Sequence, residues 1–208
     1  QLFMTATPIP RTLAMTIFSD LDLSIIDELP PGRNPVKTVV LSNDKRLEIV
    51  NRLQKVCKEG NQVYWLCTMI EDNDSFDVQS AETSLEWIRE NAPELRSELV
   101  HSKLSNEEKE KNIIDFRNGL IDILVCTTVI EVGMDVPNAS LMIIENAERL
   151  GLSQLHQLGG RVGRGPDMDS YCALLYQDPV SENAQKRLEA MKKYSNGFDI
   201  SEIDLELR

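Results

Sequence analysis

From residue 36 onward, short apolar runs alternate with stretches whose apolar residues recur every three or four positions. The runs 36–41, 62–67, 98–101, 121–126, 141–145 and 171–176 read as strands. Several are apolar at nearly every residue, as in Ile121-Asp122-Ile123-Leu124-Val125-Cys126. Strands of that kind are covered on both faces, as in parallel sheets. The intervening segments carry helix punctuation. Ser42 or Asn43 caps a helix with Leu47, Val50, Leu53 and Val56 on one face, and Gly60 ends it. Ser105 and Glu108 form a capping box ahead of Ile113, Ile114 and Phe116, and Gly119 stops that helix. Ser181 caps a further helix with Ala184, Leu188 and Met191 on one face. Strands and helices alternating at this length predict an α/β fold with an open, mainly parallel sheet and helices on both faces.

The first 35 residues stand outside this rhythm. They hold one strand end, a Pro-led helix near 11–18, and Leu29-Pro30-Pro31-Gly32-Arg33, whose prolines and glycine break regular structure. The expected organisation is therefore residues 1–35 as the end of a preceding lobe plus a linker, 36–180 as the α/β domain, and 181–208 as a short helical extension. The chain opens in strand-like residues, Gln1-Leu2-Phe3-Met4, without an initiator Met. A piece of a longer protein is expected.

Composition narrows the class. Among the 208 residues, 41% are apolar and 27% charged, as in an ordinary globular domain. No apolar run approaches the ~20 residues needed to cross a bilayer, and no secretory signal is visible. The cysteines, Cys57, Cys67, Cys126 and Cys172, form no CxxC pair, and three lie in strand-like runs. Buried free thiols in a reducing cytosol are expected. His101 and His156 are too few and too isolated for a metal cluster, so no metal ligand is assigned. A net charge of −12 argues against a nucleic-acid coat protein, but not against a few local contacts to one strand.

The chemistry concentrates in Gln154 to Gly165, reading Q-L-H-Q-L-G-G-R-V-G-R-G. Arg161 and Arg164 stand three residues apart among four glycines. That spacing is nearly one helical turn, so both can leave the same side of the backbone. The glycines let the backbone approach a ligand closely. Two guanidinium forks there suit a polyphosphate whose charge is neutralised during transfer. The alternative is a Gly-rich surface turn with solvated arginines.

Other segments follow strands. Thr127-Thr128-Val129-Ile130-Glu131-Val132-Gly133-Met134-Asp135 places two hydroxyls at a strand's carboxyl end, where open α/β sheets bind ligands. Thr127 or Thr128 suits a backbone phosphate; Gly133 and Asp135 suit the approach of a ribose, with a structural turn as the alternative. His101-Ser102-Lys103 offers one cation and a hydroxyl for a phosphate, or a solvated loop. Thr5-Ala6-Thr7-Pro8-Ile9-Pro10-Arg11 reads as a strand-to-helix turn or a plain cap. Leu23 to Glu28 imitates the strand of a magnesium site, and Gly32 to Thr38 a phosphate loop. The second lacks a glycine and one residue, and both are rejected. The chain thus supplies arginines and nucleotide-facing turns without a phosphate cradle. A phosphoryl-transfer site split across two lobes explains this imbalance.

T-A-T-P-I-P-R-T-L, T-T-V-I-E-V-G-M-D-V-P-N-A-S and Q-L-H-Q-L-G-G-R-V-G-R-G resemble motifs III, V and VI of superfamily 2 helicases. Together with I-D-E-L-P-P-G-R-N-P-V at 26–36 and G-F-D-I-S-E-I-D-L-E-L-R at the end, the wording is similar to the RecG-type ATP-dependent DNA helicases over essentially the whole chain. The resemblance implies a second RecA-like motor lobe, with ATP and Mg2+ held mainly by the first lobe. It implies translocation on double-stranded DNA and remodelling of stalled forks and branched DNA. It assigns Arg161 and Arg164 to the γ-phosphate, Gln157 to positioning nucleotide or water, and Gly133 and Asp135 to the nucleotide. Thr127 or Thr128 would contact DNA phosphate, as would Thr68, in the region of motif IV, and His101, Ser102 and Lys103. Thr5 and Thr7 would couple hydrolysis to movement.

The partners implied are branched DNA and the N-terminal lobe and wedge domain of the same polypeptide, working as a monomer in the bacterial cytosol without a membrane. Residues 181–208 would begin a C-terminal helical hairpin. Gly159 departs from the pattern, standing where RecG-type sequences usually carry Arg. Two other readings remain: the motor lobe of a transcription-repair coupling factor, whose motifs are similar, and a non-catalytic RecA-like binding module. The isolated chain is expected to hydrolyse no ATP.

Overall fold

The computed structural model describes residues 24, 26, 31–68, 74–127, 136–165 and 168–207. Among them are six strands: β1 (Lys37–Ser42), β2 (Gln62–Cys67), β3 (Ser97–Val100), β4 (Ile123–Thr127), β5 (Ala139–Glu145) and β6 (Tyr171–Tyr176). The helices are α1 (Arg46–Lys58), α2 (Asp74–Asn91), α3 (Asn106–Arg117), α4 (Leu152–Gly159), α5 (Glu182–Lys193) and α6 (Gly197–Glu206). The strands form one sheet in the order β1-β6-β5-β2-β4-β3. Every neighbouring pair is parallel. Each strand foreseen in the sequence is present, with ends shifted by at most two residues.

The apolar strands divide their side chains between two cores. Val63, Trp65 and Cys67 of β2 face one side, with α1 (Val50, Leu53) and α2 (Ala81, Ile88) packed over them. Tyr64 and Leu66 face the other, with Phe116 of α3, Leu155 of α4, Leu188 of α5 and Ile200 of α6. This period-two division explains why β2 is buried along its whole length. Each fully buried Leu, Ile or Phe stabilises the fold by about 1.5–3 kcal/mol.

Local signals act as the sequence suggests. Ser105 Oγ accepts from the Glu108 amide at 3.2 Å, and the Ser105 amide donates back to Glu108 Oε2 at 3.0 Å, closing the capping box of α3. Ser181 Oγ accepts from the Ala184 amide at 3.3 Å, capping α5. Ser42 caps a short 3-10 turn (Asn43–Lys45) that precedes α1, rather than α1 itself. At the head of β4, Asp122 accepts from the amide and side chain of Arg96, so regular pairing begins at Ile123 and not at Ile121. No helix among the described residues is long and apolar enough to cross a membrane.

Candidate functional site

The arginine turn lies at the amino edge of the sheet. Helix α4 buries Leu152, Leu155 and Gly159 and leaves Gln157 exposed on its outer side. The helix closes with the Gly160 amide on His156 O and the Arg161 amide on Leu158 O, both at 3.0 Å. Gly163 then takes φ +74° and donates its amide to Ala139 O, the first residue of β5, at 3.1 Å. The left-handed residue between the two arginines breaks the helical path. The two arginines are therefore not joined by a helical turn: Arg161 sits half-buried beside the helix end, and Arg164 is exposed one bend later.

The glycines of this turn are required by close approach. A Cβ on Gly163 would lie 2.6 Å from Ser170 Oγ. On Gly165 it would lie 2.7 Å from the carbonyl oxygen of Pro137. Both distances are shorter than real Cβ contacts allow, and the second obstacle is backbone. At Gly159 the same atom would rest 3.5 Å from Cys172 Sγ, an ordinary contact. The missing side chain at 159 would thus leave from the core-facing side of α4, next to β6. A further arginine braces the turn from outside it. Arg33 Nη2 donates to Gly160 O at 2.8 Å and reaches Val162 O at 3.4 Å.

A second group of foreseen residues occupies the opposite, carboxyl edge. Thr127 ends β4 and is buried. Thr68 follows β2 and is only 1% exposed. Its hydroxyl donates to Glu145 O at 2.8 Å and lies 3.3 Å from Asn146 O. The side chain is thus turned into the protein, with its proton used on a main-chain carbonyl. His101, after β3, is also buried, with Nδ1 accepting from the Lys103 amide at 3.2 Å. Burial, aided by Lys109 and Lys103 against Glu82 and Glu108, holds its imidazole below the ordinary value of 6.5. A neutral, inward-facing ring is poorly suited to hold a phosphate. Ser102 is half-buried and Lys103 exposed. Lys109 Nζ donates to Ser102 O at 2.7 Å and adds a second cation beside them.

Beneath this edge lies a polar cluster that sequence reasoning missed. Glu145, at the end of β5, is buried and accepts from Ser84 Oγ at 2.9 Å and from Cys67 Sγ at 3.4 Å. Arg46 Nη2 stands 2.8 Å from Glu145 Oε1, an ion pair without the alignment of a hydrogen bond. The guanidinium also lies 4.1 Å from the ring centre of Trp87 and 5.4 Å from that of Trp65. The one signal available was a carboxylate closing an apolar run. Such a carboxylate is almost always paired when buried.

The two groups are therefore separated by the height of the sheet. Five residues of β4 at about 3.3 Å each give about 17 Å. Thr5, Thr7, Thr128, Gly133 and Asp135 lie outside the described residues. The chain leaves the carboxyl edge after Thr127 and is next described at Val136, at the amino edge beside the arginine turn. Among the described residues, no three His, Cys, Asp or Glu side chains are grouped to hold a metal ion.

Residues 44–166 match the family described as "Helicase conserved C-terminal domain". The whole chain is 56% identical to the ATP-dependent DNA helicase RecG of Haemophilus influenzae and 54% identical to that of Escherichia coli K12, covering 30% of each. It spans, that is, less than a third of these curated relatives. A solved structure of RecG bound to a three-way DNA junction is similar over 98% of this chain and 26% of its own length, with a TM-score of 0.81 and 42% identity. The yeast protein Dbp5 bound to RNA and ADP BeF3, at 16% identity and a TM-score of 0.59, shares the fold.

Proposed function

This chain belongs to the helicase conserved C-terminal domain family, and from that premise we propose that it is the second RecA-like motor lobe of a RecG-type translocase acting on branched and double-stranded DNA. The observation that carries the reading is the division of the lobe into two edges. Exposed Arg164 and half-buried Arg161 stand on a rigid glycine turn at the amino edge. Half-buried Ser102 and exposed Lys103 stand at the carboxyl edge. One rim suits a triphosphate and the other a phosphodiester strand.

In this reading the first lobe supplies the cradle for ATP and Mg2+. Arg161 and Arg164 reach across the interface toward the γ-phosphate and stabilise the charge that develops there, with Gln157 on the outer side of α4 beside them. Such guanidinium groups supply about a thousandfold or more in rate. Gly133 and Asp135 complete the nucleotide side. Ser102, Lys103 and Thr127 or Thr128 hold the strand backbone at the far edge. Thr5 and Thr7 carry the coupling to the first lobe. The relatives named RecG and the junction-bound structure support branched DNA as substrate; stalled forks and recombination intermediates as the setting, and a wedge domain elsewhere in the polypeptide, are part of the same proposal.

The test is DNA-stimulated ATP hydrolysis. The full-length protein hydrolyses ATP when given a three-way junction, and the isolated chain does not. Arg164→Ala in the full-length protein lowers turnover at least a thousandfold and leaves junction affinity within about twofold of wild type. Robust hydrolysis by the isolated chain, or near-normal turnover of Arg164→Ala, overturns the reading.

A further inference from the structure

We propose that Arg33 is a positioning residue for the arginine turn, fixing the segment that leads into β1 to the carbonyls of Gly160 and Val162, the residues on either side of Arg161. The inference rests on the function proposed above and adds to it a residue outside motifs III, V and VI.

The geometry is specific. Gly160 O belongs to the peptide just before Arg161, and Val162 O to the peptide just after Val162. One Arg33 nitrogen donates to the first at 2.8 Å and lies 3.4 Å from the second. Carbonyls at a helix end have no partner within the helix and take one from outside. Here the partner comes from a residue 127 positions away in sequence. A charged donor makes the bond stronger than a neutral one. From the other side, the turn is held by the Gly163 amide on Ala139 O and by the wall of Ser170. Arg161 is thus gripped from the sheet and from the incoming segment together.

Position matters because the arginine acts by geometry. A shift of about 1 Å in a catalytic group costs about a hundredfold in rate. Arg33 also stands immediately after Gly32, in a bend with φ +78°. A change in the direction of the incoming segment therefore moves the donor, and with it the peptides that aim Arg161. This makes the segment before β1 a setting on the arginine turn, beyond its role as a connection.

The experiment uses the full-length protein, with kcat and KM for ATP, junction affinity and melting temperature measured for each variant. Arg33→Ala is expected to lower kcat about tenfold or more, with junction affinity and KM within about twofold. Arg33→Lys, which keeps a single point donor, is expected to recover part of that loss. Arg33→Gln keeps a planar donor and stands in if the alanine variant does not fold. The decisive readout is a double-mutant cycle. If Arg33 acts through Arg161, Arg33→Ala adds no further loss in the Arg161→Ala background. Full additivity, or unchanged kcat in Arg33→Ala and Arg33→Gln, overturns the inference while leaving the motor-lobe reading intact. A wild-type protein without junction-stimulated hydrolysis overturns that reading first.

Discussion

Gly165 and Pro137 touch backbone to backbone: a single added carbon on the glycine would stand 2.7 Å from the proline carbonyl oxygen. The contact joins the end of the arginine turn to the segment that enters β5. Neither side can rotate away as a flexible side chain would. Gly165→Ala is therefore expected to push the turn outward at a cost of about 1–3 kcal/mol in stability. Turnover of the full-length enzyme should fall more than tenfold, because Arg164 is the adjacent residue. Thermal unfolding and junction-stimulated hydrolysis, measured on one preparation, check both effects. A variant with wild-type turnover removes the contact from the machinery.

Thr68 is the position where a structural and a DNA-binding role separate cleanly. Its hydroxyl serves the carbonyls of Glu145 and Asn146. Thr68→Val keeps the shape and leaves those buried acceptors short of a donor, at a cost of about 1–3 kcal/mol. Thr68→Ser keeps the donor and most of the stability. Junction affinity is expected to stay within about twofold in both. A tenfold loss of affinity in a stable Thr68→Val protein contradicts the assignment.

The buried imidazole of His101 gives a pH dependence with a defined sign. Its folded pKa lies below 6.5, chiefly through burial. In the unfolded chain the ring takes up a proton near that ordinary value, while the fold resists it. The unfolded state thus binds more protons in the interval between the two values, and stability falls as pH is lowered through it. Above pH ~6.5 the contribution is constant. Urea unfolding of wild type and His101→Gln between pH 5 and 8 should show the slope in the first and its loss in the second. Equal slopes exclude His101 as the source.

All four cysteines are free and buried. Burial pushes the thiols of Cys57 and Cys172 up to about 12, and that of Cys67 well above its ordinary range, with Glu145 adding to the last. The reactive thiolate is therefore scarce at neutral pH. An aromatic disulfide reagent is expected to find no fast-reacting thiol in the native chain and four after denaturation. A stoichiometric fast phase under native conditions contradicts this.

The fold was legible because its strands are buried on both faces and so are apolar without interruption, as β2 and β4 show. Helix α2 went unread in the sequence, since no capping signal marks its start, although Val78, Ala81, Leu85 and Ile88 are buried at helical spacing along it. The sites were less accessible. Placing ligands at the carboxyl edge works for turns that run from strand to helix, such as the one between β3 and α3. Residues 160–170 run from helix to strand, which puts Arg161 and Arg164 on the other rim. Nothing in the sequence links Arg33 to Gly160, since that contact exists only once the chain has closed over most of its length. Thr68 and His101 looked available because pattern alone does not say which way a side chain turns at a strand end.

The parallel sheet that keeps the two rims apart also connects them without a joint. Its parallel strands run from one rim toward the other, packed on both sides by helices. Such an interior compresses little and passes strain onward. In the motor proposed above, this makes the lobe a stiff lever that passes a tilt at the arginine rim on to the rim that carries Lys103. The compliance that lets such a machine step then resides between lobes and not within this one.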